Sequence, residues 1–279
     1  MPVRNCQDTL YQAIRSILLQ TYEHWELILI DDGSSDETTC VARSFSDVRI
    51  RIFSDGKSLG LSKRLNEAIQ LSKGRYFARM DGDDVAYPER LERQVAFMEQ
   101  HPETDLLGAS VIVFRGTGLP VGKRRGPETH VSICKYPFAG FPICHPTFVG
   151  RLEWFRQYYY HEDAIRWEDQ ELLLRSYRFS RFANIPEILL GYREERIDLK
   201  EILMGRRFRI NLLRQEYYRH RPFLNVSAVL KDILFGMLDY IAVKSGFNYS
   251  LLRHRARPIS SAERRKWEGI WQTLNGRKT

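Results

Sequence analysis

The first two thirds of this 279-residue chain alternate short apolar runs with amphipathic segments. That alternation constrains the fold more than any other feature, because it is the pattern of helices covering a mostly parallel sheet. Residues 6–20 read as a helix with Leu10, Ala13, Ile14, Ile17 and Leu18 on one face. Trp25 to Ile30 read as a buried strand running into Asp31-Asp32-Gly33-Ser34, and the spacing of Ser34 and Glu37 predicts a capping box with a helix from about residue 35. The unit repeats with a strand at Arg49 to Phe53, a helix from Leu61 to Ser72, and a strand from Tyr76 to Met80 that ends at Asp81-Gly82-Asp83-Asp84. Pro88 suits the first turn of the next helix, which runs to Gln100. Open α/β sheets bind ligands beyond the carboxyl ends of their strands. Both acidic clusters fall there, so carboxylates distant in sequence are expected to meet in one crevice.

Residues 106–150 are more irregular, with Leu106 to Phe114 the clearest strand, and beyond Asp198 the pattern becomes helical, with segments at 199–220, 224–245 and 261–274. A boundary near 198 is therefore expected, dividing an α/β domain (1–198) from a helical region (199–279). Charge follows the same division: residues 200–279 carry 17 Lys/Arg against 6 Asp/Glu, a net +11, while residues 1–199 carry 26 against 29, a net −3. Hydrophobic and charged shares of 43% and 28% are those of a globular protein. Cys6, Cys40, Cys134 and Cys144 have no CxxC or zinc spacing, so reduced structural thiols and a cytoplasmic setting are expected. The first residues lack an apolar export signal, and no window reaches the roughly 18 apolar residues of a spanning helix.

Asp81-Gly82-Asp83 carries the most chemical information, since two carboxylates one residue apart at a strand end can hold a hard divalent cation and leave positions for phosphate oxygens. An acidic triplet alone often does no more than end a strand; here it sits between a strand and a Pro-initiated helix. Asp32 is the candidate acceptor for a base or ribose, with an N-cap role as the bland alternative. Glu168 and Asp169 open a helix, where first-turn acids are stabilised by the macrodipole, or where one of them can act as a general base. His145, in Cys144-His145-Pro146-Thr147, is structural on its own and an acceptor-side residue if that loop borders the cleft. No Walker, GxGxxG, HExxH, GxSxG or EF-hand string is present. The arginine- and aromatic-rich tail fits either a solvated basic face or contact with an anionic membrane surface. No recognised motif supports a nucleic-acid partner.

In this order the motifs resemble family 2 glycosyltransferases of the GT-A fold, over residues 2 to about 195. Pro2-Val3-Arg4-Asn5 resembles the end of that family's first strand, Gln20 to Ser34 its second-strand signature, Gly60 to Asn66 its following helix, Asp81-Gly82-Asp83 its DxD, His145-Pro146-Thr147 an acceptor-side string and Glu168-Asp169 its ED motif. The resemblance implies that Pro2, Val3, Asn5, Asp32, Asn66, Asp81 and Asp83 face a UDP-, GDP- or dTDP-sugar, with Asp83 on a Mn²⁺ or Mg²⁺ ion. It also implies that Asp169, beside Glu168, is the base of an inverting single displacement. Such enzymes commonly build bacterial surface polysaccharides on glycan or lipid-linked acceptors, so the basic tail is expected at the inner face of the membrane. Only Met1 precedes the Pro-Val segment, whereas the family has several apolar residues there; an upstream start, and a gain in stability on extension, are expected. A nucleotidyltransferase, or an inactive nucleotide-sugar-binding scaffold of the same fold, are the competing readings.

Overall fold

The computed structural model describes residues 1–195, 199–212, 234, 237 and 256–276. Along the chain these form β1 (Pro2–Val3), α1 (Leu10–Leu18), β2 (Leu27–Asp31), α2 (Thr38–Arg43), β3 (Ile50–Ser54), α3 (Leu61–Leu71), β4 (Tyr76–Ala78), β5 (Val85–Ala86) and α4 (Arg90–Gln100). There follow β6 (Leu106–Arg115), β7 (Leu119–Arg124), α5 (His130–Ile133), β8 (Val149–Arg151), α6 (Leu152–Gln157), α7 (Glu168–Ser176), β9 (Phe182–Arg193), α8 (Leu199–Leu212) and α9 (Ser261–Asn275). Apart from Leu234 and Met237, the predicted helix at 224–245 lies outside the described residues.

The strands make two sheets. One is parallel, in the order β1-β2-β3; the other runs β4-β8-β6-β9-β5, with β7 paired to β6. In the second sheet β6 and β9 are parallel, whereas β4–β8, β6–β8, β6–β7 and β5–β9 are antiparallel. This is the expected α/β architecture, with helices flanking a curled sheet. Strand β2 is buried along its whole length, which is why it reads as a continuous apolar run. Apolar side chains of α1 (Leu10, Ala13, Ile14 and Ile17) pack with Leu27 and Leu29 of β2 and with Val111 and Val113 of β6, joining the two sheets in one core.

The Ser34/Glu37 capping box does not form. Helix α2 begins at Thr38, and Ser34 Oγ accepts from the Asn5 amide instead. Asn5 stands in the left-handed region (φ 47°), which asparagine tolerates better than most residues, and its Oδ1 accepts from the Ser35 amide. The turn after β1 thereby competes successfully for the groups expected to cap the helix. A capping box does occur at the start of α9, between Ser260 and Glu263. Helix α9 packs against the second sheet: Trp267 is fully buried beside Phe114 and Tyr87, and its Nε1 donates to Gly118 O at 2.7 Å. The region beyond 198 thus shares part of its apolar surface with the α/β unit.

Edges of β2 and β4 flank a groove of about 650 Å³ that is lined by Met1, Leu27, Ile28, Phe77 and Arg79, among others.

Candidate active site

Loop 81–84 leaves β4 and turns back beneath β1. Its Gly82 is required by this close approach, because a Cβ there would sit 2.7 Å from Val3 Cγ1 and 3.2 Å from Cys6 Sγ. Thr9 Oγ1 donates to Gly82 O at 3.1 Å. From the other side Arg193 clamps the loop, its amide donating to Asp84 Oδ1 at 2.9 Å and its Nε to Asp83 O at 2.9 Å. These bonds hold one oxygen each of Asp81, Asp83 and Asp84 within 4.8 Å of one another.

The electrostatics of the loop are unbalanced. Asp84 is 1% exposed, and its Oδ2 has no partner among the described residues. Desolvation, then the charge of Asp81, pushes Asp83 up to about 6; desolvation and the charges of Asp83 and Asp81 raise Asp84 well above the ordinary carboxylate range. The buried Arg79 supplies the nearest compensation through Nη2 to Asp81 Oδ1 at 2.6 Å, but its Nε and Nη1 have no partner among the described residues. Three crowded carboxylates, one of them with an orphaned buried oxygen, are a donor set that suits a hard divalent cation. The residues that could hold an ion take in Asp81 and Asp84 beside Asp83; the sequence placed Asp84 in the acidic run but gave it no part in the ion site.

A cleft of about 730 Å³ opens over this loop, and Pro2, Val3, Asn5, Asp81, Asp83, His145 and Glu168 all line it. Arg4, Arg79, Arg166, Tyr192 and Arg193 join them; none was a candidate site residue, and of these only Arg4 falls within a quoted motif. Helix α7 presents the two ED carboxylates in different directions, as a rotation of about 100° per residue requires. Glu168 faces this cleft, whereas Asp169 faces a neighbouring one of about 430 Å³. His145, Pro146 and Tyr192 line both. Burial, then the charge of Asp169, pushes Glu168 up to about 7, and burial also raises Asp169, against a hydrogen bond from Gln170 Nε2 at 3.0 Å. Gln170 is fixed in turn by the backbone of Phe141.

His145 is buried and accepts or donates at Nε2 with Tyr160 Oη, 3.0 Å away. Burial holds its basicity well below the ordinary range, so the ring is neutral at physiological pH. Tyr160 was not anticipated, and only the structure brings it beside His145.

Two expected donor ligands stand apart. Asp32 is 6% exposed and accepts from the Leu59 amide at 2.6 Å, the Gly60 amide at 3.1 Å and Arg64 Nε at 3.0 Å, fixing the loop before α3. Asn66 clasps the backbone of Tyr160, donating to its O at 2.9 Å and accepting from its N at 2.8 Å. Neither lines the large cleft. Both side chains therefore position loops in this structure.

An α/β fold that brings an acidic strand-end loop and a helix-borne carboxylate pair to adjoining clefts has the layout of a GT-A glycosyltransferase. TarS of S. aureus in complex with UDP-GlcNAc superposes with a TM-score of 0.61 at 16% identity, covering 98% of this chain and 78% of that one. A mannosyltransferase of Pyrobaculum calidifontis in complex with GDP-Man and Mn²⁺ gives 0.54 at 13% identity, covering 98% and 83%. Residues 1–162 match the profile of Glycosyl transferase family 2. EpsE of Bacillus subtilis (strain 168) is 35% identical over 204 residues, covering 70% of this chain and 72% of its own. WfgD of Escherichia coli, a UDP-Glc:α-D-GlcNAc-diphosphoundecaprenol β-1,3-glucosyltransferase, is 38% identical over 128 residues, covering 46% and 50%. The chain belongs to glycosyl transferase family 2.

Proposed function

We propose that this glycosyltransferase moves a sugar from a nucleoside diphosphate donor, seated in the large cleft, to a hydroxyl of a glycan or lipid-linked acceptor in the adjoining one, with inversion. The division of Glu168 and Asp169 between the two clefts carries this reading. A base for the acceptor hydroxyl must approach from the face opposite the leaving group, and the lining of the smaller cleft by Asp169, apart from the acidic loop, supports that role. Asp81, Asp83 and Asp84 would hold a Mn²⁺ or Mg²⁺ ion, which when bound neutralises charge on the departing diphosphate. Arg79 and Arg193 hold the loop's shape and offset part of its charge, and His145, held by Tyr160, lines both clefts. Among the described residues no helix is long and apolar enough to cross a membrane; contact of the basic region 199–279 with an anionic inner leaflet completes the proposal.

Release of nucleoside diphosphate from UDP-, GDP- and dTDP-sugars, with and without Mn²⁺, tests the reading. Release that requires the ion, and that Asp83→Asn reduces by about 10²-fold or more, is the expected result. Binding of a donor without release under any acceptor would favour the inactive scaffold.

A further inference from the structure

Asp169 does not stand alone in its cleft. Gln170, the next residue of α7, donates from Nε2 to Asp169 Oδ2 at 3.0 Å and is the one side chain that hydrogen-bonds that carboxylate among the described residues. The same amide reaches the loop between α5 and β8: its Oε1 accepts from the Phe141 amide at 2.7 Å, and its Nε2 donates to Phe141 O at 3.2 Å. Both N–H groups and one lone pair are thereby used. They also fix which way the amide points, since turning it over would set its oxygen against two acceptors, Phe141 O and the Asp169 carboxylate.

The loop on the far side of Gln170 is a wall of the cleft that Asp169 lines. Pro142, Ile143, Cys144 and His145 follow Phe141 directly and line that cleft with it. This stretch is itself held from several sides. Arg209 of α8 donates to Phe138 O, Asn184 of β9 donates to Pro142 O at 3.2 Å, and the Phe141 ring packs against Tyr177 and Phe182. Gly140 lets the loop come close, for it stands at a φ of 109° and a Cβ there would lie 3.1 Å from Gln170 Oε1. Gln170 thus spans a fixed wall and a carboxylate.

We infer that Gln170 is a positioning residue of the transfer reaction: it ties the Asp169 carboxylate to the wall formed by residues 138–145, so that the base is aimed by the structure that seats the acceptor. This rests on the proposed role of Asp169 as the base and adds to it the group that orients it. A carboxylate turns freely about its side-chain bonds unless something holds it, and a misplacement of about 1 Å can cost about 10²-fold in rate. The bond to Oδ2 removes that freedom and leaves Oδ1 for the hydroxyl. Burial raises the Asp169 carboxyl, while the bonds from Gln170 and the charge of Arg79 work against it. Of the other titratable groups near it, Glu168 on α7 opposes its ionisation when charged, and Cys144 and Tyr160 are kept protonated by their own burial.

Gln170→Met keeps the length of the side chain and removes its hydrogen bonds. Hydrolysis of the nucleotide-sugar selected by the release assay, with water as the acceptor whose proton Asp169 takes, should show kcat lowered about tenfold or more and a donor KM close to that of the wild type. The carbon-13 carboxyl resonance of Asp169, assigned through its loss in Asp169→Asn, should titrate at higher pH in Gln170→Met, because the carboxylate loses a donor that favours its charged form. Lost packing alone would move neither the titration nor kcat apart from KM. In Asp169→Asn/Gln170→Met turnover should be no lower than in Asp169→Asn, since nothing remains to be aimed. Gly140→Ala, which drives the loop away from Gln170 and leaves both side chains in place, should also lower kcat, and it serves as the second variant if Gln170→Met folds poorly. A titration that stays in place, a wild-type kcat, or losses that multiply in the double variant would overturn the inference. If Asp169→Asn costs turnover and Gln170→Met does not, this inference alone fails; if neither does, the assignment of the base fails and takes the inference with it.

Discussion

Asp169→Asn should lower the turnover of sugar transfer by about 10²–10⁴-fold while leaving donor affinity close to that of the wild type. The amide keeps the shape of the carboxylate and its contact with Gln170, so the loss isolates proton acceptance. Donor binding is spared because Asp169 lines the smaller cleft, proposed for the acceptor, not the one lined by the acidic loop. Burial raises the Asp169 carboxyl above its ordinary range, so the acid limb of the wild-type rate profile should lie above the pH near 4 of an exposed aspartate, and the residual activity of the variant should lack that limb. Glu168→Gln is the control: Glu168 lines the large cleft proposed for the donor, and its carboxyl is pushed up to about 7. Initial rates of nucleoside diphosphate release across pH 5–9, with donor binding followed by calorimetry, measure both. If Glu168→Gln costs more turnover than Asp169→Asn, the roles of the two are reversed and the reading of the two clefts fails with them.

Sequence pattern served best where a residue acts through its place at an element's end. Asp81 and Asp83 are legible because a strand must stop before them and a helix starts soon after, and Glu168-Asp169 because first-turn acids announce a helix N-terminus. Asp32 and Asn66 show the reverse. Their motifs are conspicuous, yet their side chains are taken up by backbone groups of Leu59, Gly60 and Tyr160, which no local pattern reveals because Tyr160 lies 94 residues from Asn66. The capping box at Ser34 failed for the same reason: Asn5, distant in sequence, claims the hydroxyl. Arg79, just past β4, and Arg193, at the end of β9, were not legible because a lone arginine has no spacing signature. Their importance comes from carboxylates brought to them by the fold.

Arg79→Met should destabilise the protein by about 3–5 kcal/mol at neutral pH, the largest loss expected of any single substitution at the site. Arg79 is 3% exposed, directly paired with Asp81, and within reach of the charges of Asp84 and Glu168. Methionine fills much of the volume, so the loss reports charge more than packing. The pH dependence gives the sharper test. Arg79 lowers the affinity of Asp83, Asp84 and Glu168 for protons, so the variant's folded state binds more protons than the wild type's. As pH falls through about 7 and then 6, where Glu168 and Asp83 titrate, protons take over the compensation that Arg79 supplied, and the gap in stability should narrow. Urea unfolding of both proteins at pH 5 and pH 8 measures it, with Arg79→Lys expected to recover part of the loss at pH 8. A gap of the same size at both pH values would mean that Arg79 holds the loop by packing, and the acidic loop would then owe its compensation to another group.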